Sequence, residues 1–444
     1  MPKLKYFGTD GIRGTVGETP ISVEIVLHIG FSIGTLLKNN IKNPKIIIGK
    51  DTRISCYMIS SALAAGLSAA GVDICIAGVI PTPAIAHLVK NLNYDMGIMI
   101  SASHNPYYDN GIKFFNKNGL KLSEDQEYEI EKLIDQPIKM TPKQKLGKKS
   151  ILKEAKHIYI DYCKKNIEKS ISQQNKKIII DCADGATYQT APLIFNEFNS
   201  KFINIKPNGI NINGDSGACH PENLREQVKL NSANLGISFD GDGDRLIMVD
   251  EKNEIVDGDE ILYVILLGLL KTNSFYGGVV GTVMSNLGLE VAIKNFKIEF
   301  YRTKVGDQYV IKKLLENNWL LGGETSGHII FRELNTSGDG IITALQVLKT
   351  MELMQKPLNE LKKGMTKFPQ KIININYKNK ISLDDSNILK LTKKIENKLK
   401  PQGRVLLRYS GTESVLRIMT EGEDYNIVTE SALDMSNELS RLIN

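Results

Sequence analysis

The chain contains little of what stabilises secreted proteins or carries proteins through membranes. Its 444 residues include five cysteines, which are scattered and form no C-x-x-C pair. An odd, dispersed set of thiols argues against a disulfide framework or a zinc site and favours reduced core thiols. The longest apolar run, residues 261–270, is shorter than the ~20 residues of a spanning helix. Because it follows the acidic segment 257–260, it predicts a helix that starts there. With no apolar signal-peptide stretch either, we expect a cytoplasmic protein without a membrane span.

An excess of charge of one sign is also lacking. The 56 basic and 50 acidic residues leave a net charge of +6, and no basic stretch is interleaved with aromatic residues. Nucleic-acid binding is therefore not expected, whereas a mildly positive balance suits a protein that attracts small anions. The hydrophobic fraction of 42% and the charged fraction of 24% exclude intrinsic disorder.

Short apolar, β-branched segments alternate with turns and helical stretches along most of the chain. Those at 46–48, 178–180 and 279–283 predict three related α/β units, and strands that are apolar throughout are typical of sheets covered on both faces. Towards the C-terminus an amphipathic helix followed by two strands predicts a small α+β unit. Polar or proline-containing segments at 137–149, 250–254 and 356–370 divide the chain into predicted domains of residues 1–150, 151–253, 254–366 and 367–444.

Three aspartates alternate with glycines at Asp240, Asp242 and Asp244, between the strand-like segments 235–239 and 246–249. Neighbouring carboxylates repel one another unless a cation lies among them, and hard oxygen ligands favour Mg²⁺ or Ca²⁺. A calcium EF-hand is rejected because its sixth position must be glycine and here is Arg245. Three carboxylates leave coordination positions open, which Mg²⁺ commonly fills with phosphate oxygens and water.

A loop of small polar residues, 101–106, follows the strand-like segment 96–100 and contains Ser101, Ser103 and His104. Sites of α/β proteins lie at such turns, although this segment alone reads better as an ordinary turn that caps a helix. The chain has no nucleophile elbow and no His–Asp pair with recognisable hydrolase spacing. A reactive serine here would need another form of activation, such as a metal ion or a stored phosphate.

Two further loops offer groups for an anionic sugar. Residues 408–417 place hydroxyls and backbone N–H groups between two arginines, as a phosphate dianion needs, but a solvated hairpin fits equally well. Residues 322–328 form a glycine-rich loop with acceptors for sugar hydroxyls or an amine and with His328, which titrates near neutrality. Alone, that loop is more typical of an ordinary turn. Arg13 could bind an anion, and Lys113 lies just beyond the serine loop.

Taken together, these loops resemble those of a known family. Over essentially its whole length the chain is similar to the α-D-phosphohexomutases, through a serine loop, a metal loop, a sugar loop and a phosphate loop at 101–106, 240–245, 323–328 and 408–417. Within the family it is most similar to the bacterial phosphoglucosamine mutases, on the segments 7–14, 110–115, 281–286 and 322–328. The resemblance implies an isomerase with four domains around a central cleft: three similar α/β domains with mixed sheets and a smaller α+β C-terminal domain.

The resemblance also implies roles for individual residues. Ser103 matches the family's phosphoserine, and together with Asp240, Asp242 and Asp244 it would hold Mg²⁺. The implied reaction interconverts glucosamine 6-phosphate and glucosamine 1-phosphate through a sugar 1,6-bisphosphate and feeds the synthesis of UDP-N-acetylglucosamine and cell-wall precursors. The residues implied in substrate binding are Arg245, Glu324, Ser326, Arg408, Ser410, Gly411, Thr412 and Arg417.

His328 and Lys113 are the candidates for the proton acceptor, with Arg13 or His104 as electrostatic helpers. The nearest alternative is a phosphomannomutase or phosphoglucomutase of the same family, which differs only in the sugar. A non-catalytic phosphosugar-binding protein would predict an eroded serine or metal loop, and neither is eroded. A calcium-binding structural protein is a further alternative, and a homodimer is left open.

Overall fold

Four separate β-sheets organise the residues that the structure describes, which are 4–166, 176–378, 380–409 and 414–443. The structure is a computed structural model. Each sheet is built from one consecutive stretch of the chain. The first three stretches are α/β units and the fourth is a smaller α+β unit, as the sequence predicts.

The first unit has strands β1 (Phe7–Gly8), β2 (Gly11–Thr15), β3 (Lys45–Lys50), β4 (Asp73–Val79), β5 (Met96–Ile100), β6 (Asp109–Asn116) and β7 (Lys149–Ile151), and helices α1 (Val23–Asn40), α2 (Ser55–Ala69), α3 (Thr82–Asn91) and α4 (Glu124–Ile134). The sheet is mixed, in the order β1-β2-β6-β5-β3-β4-β7. Ile46 and Ile48 of β3 pack with α1 and α2, whereas Ile47 packs with α3. Both faces of β3 are therefore buried, which explains why the strand is apolar throughout.

The segment 137–149, expected to be a linker, belongs largely to this first unit. The Gly147 N–H donates to the carbonyl oxygen of Ser68, and β7 pairs in parallel with β4. The boundary expected between residues 150 and 151 therefore falls inside β7. Prolines and lysines gave the segment a linker-like composition, but its backbone hydrogen bonds join it to the sheet.

The second unit has helices α5 (Ala155–Lys165), α6 (Thr190–Ile194) and α7 (Pro221–Leu230), and strands β8 (Ile178–Asp181), β9 (Ser200–Ile203), β10 (Leu235–Phe239), β11 (Leu246–Val249) and β12 (Ile255–Val256). The strand order is β12-β11-β10-β8-β9. The expected boundary at 253/254 falls within the β11–β12 hairpin. The reason is that the Asp250 carboxylate accepts the N–H groups of Lys252 and Glu254 and closes a turn there.

The third unit has helices α8 (Gly258–Lys271), α9 (Leu287–Asn295), α10 (Asp307–Glu316), α11 (Gly340–Met354) and α12 (Leu358–Leu361), and strands β13 (Val279–Thr282), β14 (Phe300–Thr303), β15 (Leu321–Gly323) and β16 (Ile329–Phe331). The strand order is β14-β13-β15-β16. The Asp257 side chain accepts the N–H groups of Asp259 and Glu260, and the Glu260 side chain accepts that of Asp257. This capping box starts α8, which confirms the helix predicted over 261–270.

The fourth unit has strands β17 (Gln370–Asn376), β18 (Gly403–Tyr409) and β19 (Val415–Gly422), and helices α13 (Ser386–Lys398) and α14 (Tyr425–Ile443). Its sheet is antiparallel in the order β17-β19-β18. The predicted apolar face of α13 is buried at Ile388 and Ile395 and packs with α14 against the sheet.

Two expectations about composition can also be compared with the structure. Four cysteines are buried as expected, but Cys219 is exposed, in the loop before α7. Among the described residues, no helix combines the length and the apolar character needed to cross a bilayer.

Candidate active site

Ser103 lies in the loop between β5 and β6 and faces the second unit. Its Oγ donates a hydrogen bond to Oδ2 of Asp240 at 2.5 Å, and the residue is 1% exposed. Its backbone φ of +51° is left-handed, a conformation that costs a non-glycine residue about 1–2 kcal/mol. The next element is β6, so the loop does not cap a helix. The serine predicted from the sequence therefore meets the metal loop directly.

The three aspartates of the metal loop lie on the turn between β10 and β11 and are buried. One carboxylate oxygen of each lies within 4.8 Å of the others. Burial, together with the charges of Asp244 and Asp242, raises the pKa of Asp240 to about 8. The Oδ1 atoms of Asp242 and Asp244 are buried without a hydrogen-bond partner. A divalent cation would satisfy these oxygens and reduce the repulsion, so the donor set fits a metal ion that prefers oxygen ligands.

Lys113 projects from β6 into the same cluster. Its Nζ lies 2.7 Å from Oδ2 of Asp242, 2.9 Å from Oδ2 of Asp244 and 3.4 Å from Oδ2 of Asp10. Burial disfavours the charged amine, but these three carboxylates outweigh it and hold the pKa of Lys113 well above its usual value. In this arrangement Lys113 is a cation that neutralises the metal loop.

His328, at the end of the sugar loop, is buried between two carboxylates. Its Nδ1 lies 3.6 Å from Oδ1 of Asp244 and its Nε2 lies 3.3 Å from Oδ2 of Asp307. The Gly338 N–H also donates to Nε2 at 3.0 Å, a contact that favours the neutral ring. Burial alone would lower the pKa of His328, but the two carboxylates raise it to about 10. The carboxylates determine the direction of the shift, because two full charges outweigh one amide dipole.

The charges continue into a ring that links the first and third units. Lys121 donates to Asp10 and, at 2.6 Å, to Asp307. Asp10 faces Lys113, and Asp307 faces His328, so the ring closes through the metal loop. The family resemblance covers the segment that contains Asp10 but assigns that residue no role, and the sequence does not indicate Lys121 or Asp307. Neither belongs to a local motif that could have indicated its role.

Arg13 and His104 lie beside this cluster. Arg13 contacts Asp10, and its Nη1 donates to the carbonyl oxygen of Ala102 at 3.4 Å. Burial, followed by the positive charges of Arg245 and Arg13, lowers the pKa of His104 to about 3. A ring that is neutral at physiological pH fits an auxiliary role better than that of a charged phosphate ligand.

The sugar loop is fixed to both the second and the third unit. The Leu246 N–H donates to the carbonyl oxygen of Gly327 at 3.0 Å, and the Gly258 N–H donates to that of Thr325 at 3.0 Å. Oε1 of Glu324 accepts the Gly306 N–H at 2.9 Å, and Ser326 is exposed. The loop therefore presents Ser326 to solvent while its backbone is held in place.

Arg245 and Arg408 both feel the charge of the sugar loop. The carboxylate of Glu324 favours the charged form of each guanidinium group. Arg408 of β18 stands directly opposite Arg417 of β19. Burial and the charge of Arg417 lower the pKa of Arg408, so an anion bound there would relieve the repulsion.

The two arginines also line a cavity of about 240 Å³ between the fourth sheet and Met284 of the third unit. This cavity lies beside the predicted phosphate loop. Residues 410–413 of that loop, which include the predicted Ser410, Gly411 and Thr412, lie outside the described residues. The structure thus brings Ser103, the three aspartates, Lys113 and His328 into one cluster, and it places the arginine pair on the fourth sheet.

Models of all four domains of the phosphoglucomutase/phosphomannomutase family match the chain in order. The models of alpha/beta/alpha domains I, II and III match residues 4–140, 157–253 and 257–368, and the C-terminal domain model matches 372–438. Together these matches cover most of the chain.

Individual proteins are similar over nearly the full length. A phosphoglucosamine mutase of Pseudoalteromonas translucida (strain TAC 125) is 48% identical over 435 residues, which are 97% of this chain and 97% of the relative. Further relatives of the same name are 45% and 49% identical.

Solved structures share the fold. A phosphoglucomutase/phosphomannomutase family protein from Burkholderia thailandensis matches with a TM-score of 0.79 at 22% identity and covers 98% of each chain. An N-acetylphosphoglucosamine mutase of Aspergillus fumigatus, in complex with GlcNAc-6P and magnesium, matches with a TM-score of 0.70 at 16% identity, over 100% of this chain and 96% of that one.

Proposed function

The chain belongs to the phosphoglucomutase/phosphomannomutase family, and we propose that it interconverts glucosamine 6-phosphate and glucosamine 1-phosphate. It is therefore an isomerase of the phosphohexomutase type. The observation that carries the proposal is the 2.5 Å hydrogen bond from Oγ of Ser103 to Oδ2 of Asp240, which joins the candidate phosphoserine to the candidate metal site. Relatives of 45% to 49% identity favour this sugar over the glucose or mannose of the alternative.

The proposed chemistry uses Ser103 as a phosphoryl carrier. Phosphorylated Ser103 gives its phosphoryl group to the free hydroxyl of the sugar phosphate, so the bond from Oγ to phosphorus breaks and a bond from phosphorus to the sugar oxygen forms. The hydroxyl proton leaves to a base. The resulting 1,6-bisphosphate reorients in the site. Its other phosphoryl group is then transferred to Oγ, so the bond from phosphorus to that sugar oxygen breaks and the oxygen regains a proton. The product feeds the synthesis of UDP-N-acetylglucosamine and cell-wall precursors.

Asp240, Asp242 and Asp244 would hold Mg²⁺, together with a phosphate oxygen on Ser103. When bound, the ion would neutralise charge on the transferring phosphoryl group and polarise its phosphorus. Lys113 contributes further positive charge from within the chain, because its Nζ already lies on two of the three carboxylates.

The remaining candidates orient the sugar phosphate. Arg408 and Arg417, with Ser410, Gly411 and Thr412, would hold the phosphate that is not reacting, because paired guanidinium forks suit a dianion. Glu324 and Ser326 would accept hydrogen bonds from the sugar, and Arg245 would face its phosphate.

His328 and Lys113 remain our candidates for the group that exchanges a proton with the sugar oxygen. Neighbouring carboxylates raise the pKa of both groups, so either accepts the hydroxyl proton only after it has given up its own. Arg13 and His104 would be electrostatic helpers. Both candidates contact Asp244, so whichever group accepts the proton lies next to the metal site. We place the reaction in the cytoplasm, because all five cysteines are free, as is usual in reducing compartments.

The test is a comparison of mutase rates on the 6-phosphates of glucosamine, glucose and mannose. Each reaction contains Mg²⁺ and a trace of the matching 1,6-bisphosphate, and phosphorus NMR separates 1-phosphate from 6-phosphate. We expect the highest kcat/KM with glucosamine 6-phosphate. A higher value for glucose or mannose would replace the sugar and keep the mechanism. The proposed mutase activity would be contradicted if no sugar phosphate reacted on protein whose Ser103 is shown by mass spectrometry to be phosphorylated.

A further inference from the structure

The backbone carbonyl of Ser103 is held by two side chains from different units. Its oxygen accepts a hydrogen bond from Nη2 of Arg53 at 2.9 Å and another from Nδ2 of Asn213 at 2.8 Å. Arg53 belongs to the first unit and Asn213 to the second. Two donors on one carbonyl oxygen use both of its lone pairs, so the orientation of the peptide after Ser103 is fixed.

Arg53 is placed to act only through the serine loop. It is 0% exposed and its Nε lies 2.9 Å from Oδ2 of Asp51. The guanidinium also donates to the carbonyl oxygens of Asn105 at 2.9 Å and Pro106 at 2.6 Å. A fully buried arginine that binds three carbonyls of one loop cannot meet the substrate, and its fork holds the whole turn.

Asn213 connects the same turn to the metal loop. Its Nδ2 donates to the carbonyl oxygen of Asn105 at 3.1 Å as well as to that of Ser103. Gly241, between the first two aspartates, packs on this contact: a Cβ added there would lie 2.6 Å from the oxygen of Ser103 and 2.7 Å from Nδ2 of Asn213. The metal loop, the asparagine and the serine carbonyl therefore touch one another.

The left-handed backbone of Ser103 needs such restraint. Its N–H donates to Oγ of Ser101 at 2.9 Å, so both of its backbone polar groups are tied, and strained conformations persist only where their surroundings fix them. Rotation of φ to a common value would move Oγ away from Asp240. We propose that Arg53 and Asn213 are positioning residues, which hold the Ser103 carbonyl so that Oγ is aimed at the metal site. The inference rests on the proposed function, in which Ser103 carries the phosphoryl group.

The test is the variant Asn213→Ala, measured for phosphorylation of Ser103 and for mutase kinetics. Phosphorylation is followed by mass spectrometry after addition of glucose 1,6-bisphosphate and Mg²⁺. Because a misplacement of about 1 Å can cost about 100-fold in rate, we expect both the phosphorylation rate and kcat to fall by roughly that factor. KM should stay unchanged, because both hydrogen bonds of Nδ2 go to backbone carbonyls of the serine loop.

Asn204→Ala is the matched control. Asn204 also belongs to the second unit and has a left-handed φ, +51° against +57° for Asn213. Its Nδ2 donates to Oδ1 of Asp181 at 2.8 Å and does not contact the serine loop. The two variants therefore remove the same amide from the same backbone conformation, and we expect Asn204→Ala to lower Tm without lowering kcat.

A second variant, Arg53→Lys, keeps the positive charge beside Asp51 and removes the fork. We expect the same loss of kcat at unchanged KM. The proposal is overturned if Asn213→Ala is phosphorylated at the wild-type rate, or if Asn204→Ala loses as much kcat for an equal loss of Tm. Wild-type protein is measured first: if it takes no phosphate from the bisphosphate, the proposed function fails, and this inference with it.

Discussion

At the scale of single residues, the proposed phosphoryl transfer depends most on Ser103. Its Oγ is buried against Asp240 of the second unit. Replacing it removes the one atom that carries the phosphoryl group in the proposed reaction, while the sugar and phosphate loops stay in place.

We therefore expect Ser103→Ala to abolish mutase turnover while glucosamine 6-phosphate still binds. Calorimetric titration measures the Kd, and phosphorus NMR measures turnover. Ser61→Ala, at an exposed serine of α2 whose Oγ donates to the carbonyl oxygen of Tyr57, is the control and should turn over as the wild type does. Normal turnover of Ser103→Ala would exclude the phosphoserine.

The metal ligands give a second prediction at this scale. Asp242→Asn removes one of the three charges that face the cation, so Mg²⁺ affinity should fall by about tenfold or more, because affinity follows the number of charged ligands. Titration with Mg²⁺ or Mn²⁺ measures this directly. Asp434→Asn, at an exposed ion pair with Lys398, should bind the metal as the wild type does. Equal affinities in both variants would remove Asp242 from the ligand set.

Local spacing explains which of these residues could be predicted. Asp240, Asp242 and Asp244 alternate within a single turn, so their sequence already indicated a cation site. Arg53 and Lys121 gave no such signal, because their partners are distant: Arg53 binds Ser103 across 50 positions, and Lys121 binds Asp307 across 186. Only the folded chain brings them together.

At the scale of elements, the register of the fourth sheet brings together the arginines of the proposed phosphate site. Arg408 and Arg417 are direct cross-strand partners, and Asn374 of β17 stands opposite Arg417 on the other side. The three side chains therefore form a row across the sheet, and all of them line the cavity beside Met284. A shift of one residue in either strand would turn one arginine to the opposite face.

Arg417→Ala should weaken binding of the phosphate that is not reacting. Charge-assisted hydrogen bonds contribute about 1.5–3 kcal/mol each, which corresponds to an increase in KM of roughly 10- to 100-fold, with a smaller effect on kcat. Steady-state kinetics on glucosamine 6-phosphate measure the split. Arg441→Ala, on the exposed face of α14, is the control and should leave KM as it is. An unchanged KM in Arg417→Ala would contradict the clamp.

Elements with strong local signals were predicted closely, and those that depend on pairing were not. The strands on either side of the metal loop, 235–239 and 246–249, agree with β10 and β11, because their apolar runs end at glycine- and aspartate-rich turns. The boundary expected at 253/254 lies between two paired strands, because a polar segment looks alike in the sequence whether it joins two domains or two strands of a hairpin. The pairing of β12 with β11 decides between them.

At the scale of the whole molecule, a second row of side chains attaches the fourth sheet to the third unit. Nε of Arg404 binds buried Glu421 at 2.5 Å, and its other nitrogens donate to the carbonyl oxygens of Val283 at 2.9 Å and Ser285 at 2.7 Å. Oε1 of Glu421 accepts the Leu287 N–H at 2.8 Å. The loop after β13 therefore forms the interface of the third unit with the fourth. The sequence predicted four units in order, but it could not show which surfaces meet.

Arg404→Gln should weaken this interface. It leaves the Glu421 charge without its guanidinium partner and removes donors from two carbonyls, so hydrogen–deuterium exchange should become faster across 283–287 and β18. KM should rise as well, because Arg408 lies on the same strand. Lys398→Gln, which breaks an exposed ion pair within the fourth unit, is expected to leave exchange in the loop unchanged. Equal exchange in the two variants would show that Arg404 does not hold the interface between the third and fourth units.

The most direct test of the central claim is to follow the phosphate of Ser103 through one turnover. Protein labelled with radioactive phosphate on Ser103 is mixed with unlabelled glucosamine 6-phosphate and Mg²⁺, and the reaction is quenched within a single turnover. The phosphoserine mechanism predicts that the label leaves the protein and appears at position 1 of the sugar, while unlabelled phosphate from position 6 replaces it on Ser103. Formation of glucosamine 1-phosphate while the label stays on the protein would contradict it.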